Sequence, residues 1–274
     1  MSKKNYPKAR KRFGQNFLHD QSVIDDIIGA IDPQRGQHIV EIGPGRAALT
    51  RPLLQNSGQL DVIELDRDLV PLLQMQFSAY ENLTIYQADA LSFNYRTLVK
   101  EQEKLRIVGN LPYNITTPLL FHLLAQSDCI EDMCFMLQRE VVERICAQPG
   151  NKQYGRLSIM VQYQCQAELV FLVPAEAFDP VPKVESAILY LNPRSKDDYI
   201  GGEVESEFLG KVVTQAFSQR RKTIANTLKR IVSSELILQA GINLEQRPET
   251  ISITQYVALT RLWLDSLHVD SSII

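Results

Sequence analysis

The chain has 274 residues, is 45% hydrophobic, and sets 29 Lys and Arg against 32 Asp and Glu for a formal net charge of −3. That length and apolar content suit one substantial domain plus a smaller one. No run approaches the roughly 18–20 apolar residues of a membrane span, and the N-terminus is basic without the apolar stretch of a secretory leader, so a cytoplasmic protein is expected. Cys129, Cys134, Cys146 and Cys165 show no C-x-x-C pairing, and the four histidines stand alone. Neither a disulfide framework nor a metal site is expected.

The small net charge hides a segregation. Residues 1–19 carry six bases (Lys3, Lys4, Lys8, Arg10, Lys11, Arg12) and no acid, and residues 208–234 carry six more (Lys211, Arg220, Arg221, Lys222, Lys229, Arg230), again with no acid. The rest of the chain holds 17 bases against 32 acids. Positive charge concentrated in two segments is the footprint of a polyanion binder.

After the basic segment 1–20, the pattern predicts an amphipathic helix over 21–31, with Val23, Ile24, Ile27, Ile28 and Ile31 on one stripe. Strand-like runs follow at 38–43, 59–66, 83–89, 104–111 and 132–138, each succeeded by helix-capable sequence, a rhythm that predicts an α/β fold with a parallel sheet covered on both faces. Two more strands, 167–174 and 185–193, flank the proline-rich "EAFDPVPKV" and are expected to form a closing antiparallel pair. Beyond 193 the chain turns polar, then reads as helices only. The expected division is a domain over 1–193, a linker over 194–202 and a helical domain over 203–274 that carries the second basic segment.

"VEIGPGRAALT" ends the first strand with Gly43, Gly45 and Ala48 in a G-x-G-x-x-A pattern, and Glu64 ends the next. Glycines let backbone approach a ligand, the helix N-terminus beyond favours partial negative charge, and a carboxylate accepts two hydrogen bonds from a ribose diol. The pattern suits a nicotinamide dinucleotide or S-adenosylmethionine. Glu41 favours the second, since an acid there is unwelcome beside a pyrophosphate but tolerable beside a sulfonium and an ammonium. Asp89, ending the third strand, lies where an adenine amine would sit in a doubly wound sheet.

"GNLPYN" follows the fourth of these strands, and its chemistry suits an exocyclic amine. The adenine N6 lone pair is delocalised into the ring, so an enzyme that methylates it must hold the NH2 by acceptors. The Asn110 side-chain carbonyl and the Leu111 carbonyl, which precedes the N–H-less Pro112, are such acceptors. Tyr113 offers a flat face to a base lifted from its stack, worth about 1–3 kcal/mol. No strong base is needed, because the nitrogen becomes acidic only after methylation.

Together "KRFGQNFL", "EIGPGRAALT", "IELD", "QADAL", "GNLPYNI", "AFDPVPKVESA" and "AFSQRRKT", in order along nearly the whole chain, resemble the bacterial small-subunit (16S) ribosomal RNA adenine dimethyltransferases. The resemblance implies a class I, Rossmann-like methyltransferase with a seven-stranded, mostly parallel sheet and a small all-helical C-terminal domain. It implies transfer of two methyl groups to N6 of each of two adjacent adenosines near the 3′ end of 16S RNA, within a nearly assembled 30S subunit, by a monomer. It assigns S-adenosylmethionine contacts to Asn16, Leu18, Gly43, Gly45, Glu64, Asp89 and Asn110. The catalytic set is Asn110, Leu111, Pro112, Tyr113 and, as a second aromatic clamp, Phe178. The RNA-facing bases are Arg220, Arg221, Lys222, Lys229 and Arg230, on a helix whose apolar face carries Phe217, Ile224, Leu228 and Ile231. Many relatives place a third glycine where this chain has Ala47. Two alternatives are a large-subunit adenine methyltransferase of the macrolide-resistance type and a factor that acts chiefly as an assembly checkpoint.

Overall fold

The computed structural model describes residues 16–100, 103–219 and 221–271. The six bases of segment 1–19 and Arg220 fall outside the described residues. In chain order the elements are β1 Phe17–Leu18, α1 Gln21–Ile31, β2 His38–Ile42, α2 Thr50–Asn56, β3 Gln59–Glu64, α3 Val70–Gln76, β4 Leu83–Gln87, β5 Leu105–Asn110, α4 Thr116–Leu124 and β6 Ile130–Gln138. There follow α5 Arg139–Cys146, α6 Arg156–Gln164, β7 Cys165–Val173, β8 Phe178–Asp179, β9 Ser186–Pro193, α7 Ser206–Ala216, α8 Ile224–Leu228, α9 Ser234–Gln239 and α10 Ile253–Ser271.

Two compact units share these elements, one comprising 1–142 with 168–193, the other 143–167 with 194–274. Residues 143–167 were expected in the N-terminal domain, and 194–202 as a linker, but both cluster with the helical unit. The reason is visible in α6, where Leu157, Ile159, Met160, Val161 and Tyr163 are all buried and the Tyr163 hydroxyl donates to the Val204 carbonyl at 2.9 Å. A helix apolar around most of its circumference needs neighbours on every side.

The first unit is built on a seven-stranded sheet of order β4-β3-β2-β5-β6-β9-β7. Strands β2, β3, β4, β5 and β6 pair in parallel, and β9 runs antiparallel to β6. Strand β9 therefore lies between β6 and β7. The central strands read as apolar runs because helices cover both faces; Ile39, Val40, Val62 and Ile107 are all buried. Helix α1 matches its predicted span. Asp20 caps it by accepting the Ser22 and Val23 N–H groups at 2.9 and 3.3 Å, and Val23, Ile24, Ile27 and Ile31 are buried. The sheet's N-terminal edge is pinned by Arg106, which donates to Asp132 at 2.9–3.0 Å and to the Ile31 carbonyl at 2.6 Å, while Tyr190 donates to Asp132 at 2.6 Å.

From β2 the chain moves outward through β3 to β4, then returns to the other side of β2 as β5. That reversal opens a crevice at the C-terminal ends of β2 and β5, where open α/β folds bind ligands. Gly109 permits the close approach there, since a Cβ on it would lie 2.6 Å from the Ile42 carbonyl oxygen.

In the second unit, Leu209, Val212, Val213 and Ala216 of α7, Ile224 and Leu228 of α8, and Tyr256 and Val257 of α10 are buried. The single RNA-facing helix expected through Phe217 and Ile231 is instead interrupted. Helix α7 stops at Ala216 with Phe217 as its C-cap, and α8 starts only at Ile224, whose N–H donates to the Gln246 carbonyl at 2.8 Å. Arg221 and Lys222 thus sit in the connection, Lys229 and Arg230 follow α8, and all four are exposed.

Candidate active site

A cavity of about 330 Å³ opens at the C-terminal ends of β2, β3, β4 and β5, within the roughly 300–1,000 Å³ range of ligand sites. Asn16, Leu18, Gly43, Gly45, Glu64, Asp89, Asn110, Leu111, Pro112 and Tyr113 all line it. These residues come from five separate stretches of sequence, and the strand ends gather them.

The glycine turn forms the floor. Gly43 and Gly45 have φ of 66° and 56°, the left-handed region that glycine enters without steric cost. A Cβ on Gly45 would press on the Phe17 ring at 3.2 Å. Ala47 also has a positive φ, 67°, a glycine-like conformation that costs a residue with a Cβ about 1–2 kcal/mol. The turn does not run straight into a helix as expected. Positive φ at 45 and 47 holds the chain out of α-helical geometry, and α2 begins at Thr50.

Two carboxylates meet at this floor. Glu41 is 2% exposed and accepts the Thr50 hydroxyl at 2.6 Å. Burial raises its pKa from 4.5 to about 8, with the Thr50 hydrogen bond opposing and the neighbouring Glu64 adding to the rise. Glu64 is 6% exposed; burial pushes it up as well, against the Asp66 N–H on Oε1 at 2.7 Å and the Gly45 N–H on Oε2 at 3.4 Å. Two buried acids facing one cavity call for a ligand with positive charge and hydroxyl donors. S-adenosylmethionine has both, in its ammonium and sulfonium and in its ribose diol, so the residues present fit it. At the cavity's other side Asp89 accepts the Leu91 N–H at 2.9 Å, which fixes the direction of its carboxylate.

Asn110 ends β5, and its Nδ2 donates to the Asn16 carbonyl at 3.3 Å. Because a carbonyl can only accept, this bond settles which end of the amide is NH2 and leaves Oδ1 as the acceptor. The Leu111 N–H donates to the Met136 carbonyl at 3.2 Å, and the turn closes with the Ile115 N–H on the Pro112 carbonyl at 3.2 Å. Tyr113 stands half-buried on that turn with its hydroxyl 3.1 Å from Ser186 Oγ.

Phe178 does not join this group. It is 1% exposed, sits in the apolar core with Leu18, Val173 and Ile188, and is absent from the cavity lining. The cause is a two-stranded sheet not foreseen from sequence. Strand β1 pairs antiparallel with β8, Leu18 opposite Phe178 and Phe17 opposite Asp179, and this pairing packs the Phe178 ring inward. Arg46 completes the strap, its guanidinium 4.1 Å from the Phe17 ring centre and 3.5 Å from Asp179 Oδ2.

Leu65 was not singled out from sequence. It lines the cavity and is 51% exposed, an unusual exposure for a leucine beside a buried glutamate. An apolar residue directly after the strand-ending Glu64 was the available signal.

A family model described as ribosomal RNA adenine dimethylase matches residues 6–263. The chain is 54% identical over 257 residues to the ribosomal RNA small subunit methyltransferase A of Nitrosococcus oceani, covering 94% of this chain and 97% of the relative. To the protein of the same name from Pseudomonas aeruginosa it is 51% identical over 259 residues, covering 94% and 96%. Among solved structures, a dimethyladenosine transferase from Plasmodium falciparum shares the fold at a TM-score of 0.75 and 24% identity, covering 89% of this chain and 95% of that one. The 23S rRNA methyltransferase ErmE aligns at a TM-score of 0.69 and 25% identity, covering 90% and 99%. With a strand-end cavity of this chemistry, a family match along nearly its whole length and relatives more than half identical, the chain belongs to the ribosomal RNA adenine dimethylase family.

Proposed function

We propose that this protein dimethylates N6 of two adjacent adenosines near the 3′ end of 16S ribosomal RNA, using S-adenosylmethionine, on a nearly assembled 30S subunit, as a cytoplasmic monomer. The small-subunit names of relatives over 50% identical support the choice of RNA. Among the described residues, no helix is long and apolar enough to cross a membrane. The observation that carries the chemistry is the Asn110 amide, oriented by the Asn16 carbonyl so that Oδ1 remains to accept.

When bound, S-adenosylmethionine supplies an electrophilic methyl group on sulfur. Gly43 and Gly45 let backbone lie against its amino-acid end, where Glu41 offers a carboxylate, while Glu64 takes the ribose hydroxyls and Asp89 the adenine amine. Asn16 and Leu18 close the cavity from the strap. On the target side, Asn110 Oδ1 and the Leu111 carbonyl accept the two N6 hydrogens, which turns the nitrogen lone pair out of conjugation and toward the donor. The Pro112 ring keeps an N–H away from that carbonyl. Tyr113 stacks on the extruded base in place of its lost neighbours. As the N–C bond forms, the methyl group's bond to sulfur breaks, with S-adenosylhomocysteine as the leaving group; the nitrogen, now cationic and acidic, yields its proton to water. The second transfer uses the one remaining hydrogen and the same face. Arg221, Lys222, Lys229 and Arg230, with Arg220 of the same run, hold the phosphates of the RNA.

The test is to react the protein and S-adenosylmethionine with small subunits that lack this modification, then map the product by mass spectrometry. Dimethyladenosine at two neighbouring 16S positions is expected. Product confined to large-subunit RNA overturns the proposal.

A further inference from the structure

We propose that Ser186 is a positioning residue that fixes the ring of Tyr113 for the target base, so that the first residue of β9 takes part in methyl transfer without touching substrate. The inference rests on the reading above in one respect, that Tyr113 stacks on the adenine accepting the methyl.

The geometry has three parts. Ser186 Oγ lies 3.1 Å from the Tyr113 hydroxyl. Ser186 is itself 1% exposed, and a buried hydroxyl left without a partner is costly, so this contact satisfies the serine as well as holding the tyrosine. The serine is in turn held in the sheet, because β9 pairs with β6 from Ser186 opposite Gln138, and the preceding Glu185 is tied to Arg139 by a backbone bond of 3.0 Å and a side-chain bond of 2.8 Å. The other end of Tyr113 is fixed by the turn beneath it, where the Ile115 N–H and the Thr116 hydroxyl both donate to the Pro112 carbonyl, at 3.2 and 3.3 Å. The side chain is thus held at its backbone and at its para oxygen, with the ring between them part of the cavity lining.

A stacking face is useful only when its plane matches the base, and productive geometry tolerates about 10–20° of misorientation. An untethered tyrosine still stacks, but over a wider range of tilts. The consequence falls on transfer rather than on RNA affinity, which is spread over many phosphate contacts. It falls hardest on the second transfer, which has one N6 hydrogen left to orient the amine and leans more on the ring.

The test is a double-mutant cycle on Ser186→Ala and Tyr113→Phe, read as single-turnover transfer to unmodified small subunits with mono- and dimethyladenosine counted separately. Ser186→Ala should slow transfer about 3–10-fold, the worth of one neutral hydrogen bond, with little change in KM for the subunit and a larger share of monomethyladenosine. Tyr113→Phe, which leaves β9 untouched, should do the same. In the Tyr113→Phe background Ser186→Ala should add nothing, and Ser186→Thr, which keeps the hydroxyl, should restore most of the rate. Additive losses, or full activity in Ser186→Ala, overturn the inference. If the wild type methylates large-subunit RNA instead, the reading above falls, and the same cycle on that RNA still decides whether the two hydroxyls act together.

Discussion

Glu41→Gln tests the electrostatic claim at the heart of the cavity. Burial holds the Glu41 carboxyl at about 8 instead of 4.5, so at pH 7 only about a tenth of the unliganded protein carries the charge. A ligand with an ammonium and a sulfonium favours the charged form, so binding should release close to one proton at pH 7, and affinity should climb by up to about tenfold per pH unit up to pH 8 before levelling. The ligand's own α-amino group titrates near pH ~8, so the informative quantity is the ratio of wild-type to Glu41→Gln affinity, in which that titration cancels. Calorimetry in two buffers of different ionisation enthalpy measures both affinity and proton release. Stability without ligand should move the other way. The folded pKa lies above the unfolded one, so the contribution of Glu41 is complete below about pH 4.5 and is lost as pH rises through 8, by up to about 1.4 kcal/mol per unit. Glu41→Gln should lack that decline. Equal pH profiles for the two proteins, or binding without proton release, would refute the assignment of the ligand's positive end to Glu41.

Asn110→Ala should lower kcat by about 10²–10³-fold if the amide is the proposed acceptor for the reacting amine, while thermal unfolding shifts little because, among the described residues, the side chain loses one bond, 3.3 Å to Asn16; single-turnover transfer and a melting curve read the two. Replacing Arg221, Lys222, Lys229 and Arg230 by Gln should weaken subunit binding and flatten its slope against log salt by about 0.7–0.9 for each phosphate contact removed, measured by filter binding across a salt series. Arg106→Ala leaves Asp132 buried without its cation and should cost about 3–5 kcal/mol in urea unfolding; since Arg106 is the second residue of β5 and Asn110 its last, at the opposite end, cofactor affinity at low temperature should hold.

The cavity was legible because its residues sit at punctuation points. Glu64 and Asn110 end their strands, Gly43 and Asp89 come just after theirs, and a doubly wound sheet brings successive strand ends to one edge. The chemistry could therefore be assembled without knowing any side-chain contact. What escaped were features decided by tertiary packing. The interruption after Ala216 is one: Phe217, Ile224, Leu228 and Ile231 have helical spacing, yet the Ile224 N–H is taken by Gln246, a partner that helical spacing cannot disclose. The placement of 143–167 is another, since a helix such as α6 shows that it is buried and not which neighbour buries it.

Phe178 is the most instructive miss, because its sequence context was read correctly and its position was not. The proline-rich turn does return to the cavity's neighbourhood, but through two residues that pair with two others far away in the chain, and strands that short carry no periodicity. Their pairing has a consequence for the site. It hangs Asn16, whose carbonyl orients Asn110, on the same strap as Phe17, which lies against the glycine turn, and Leu18, which lies against Phe178. The amide proposed to address the target amine is therefore oriented by the last residues of the basic N-terminal segment itself. In this arrangement Phe178 packs in the core under the strap, and of the two aromatic residues expected to clamp the base only Tyr113 lines the cavity.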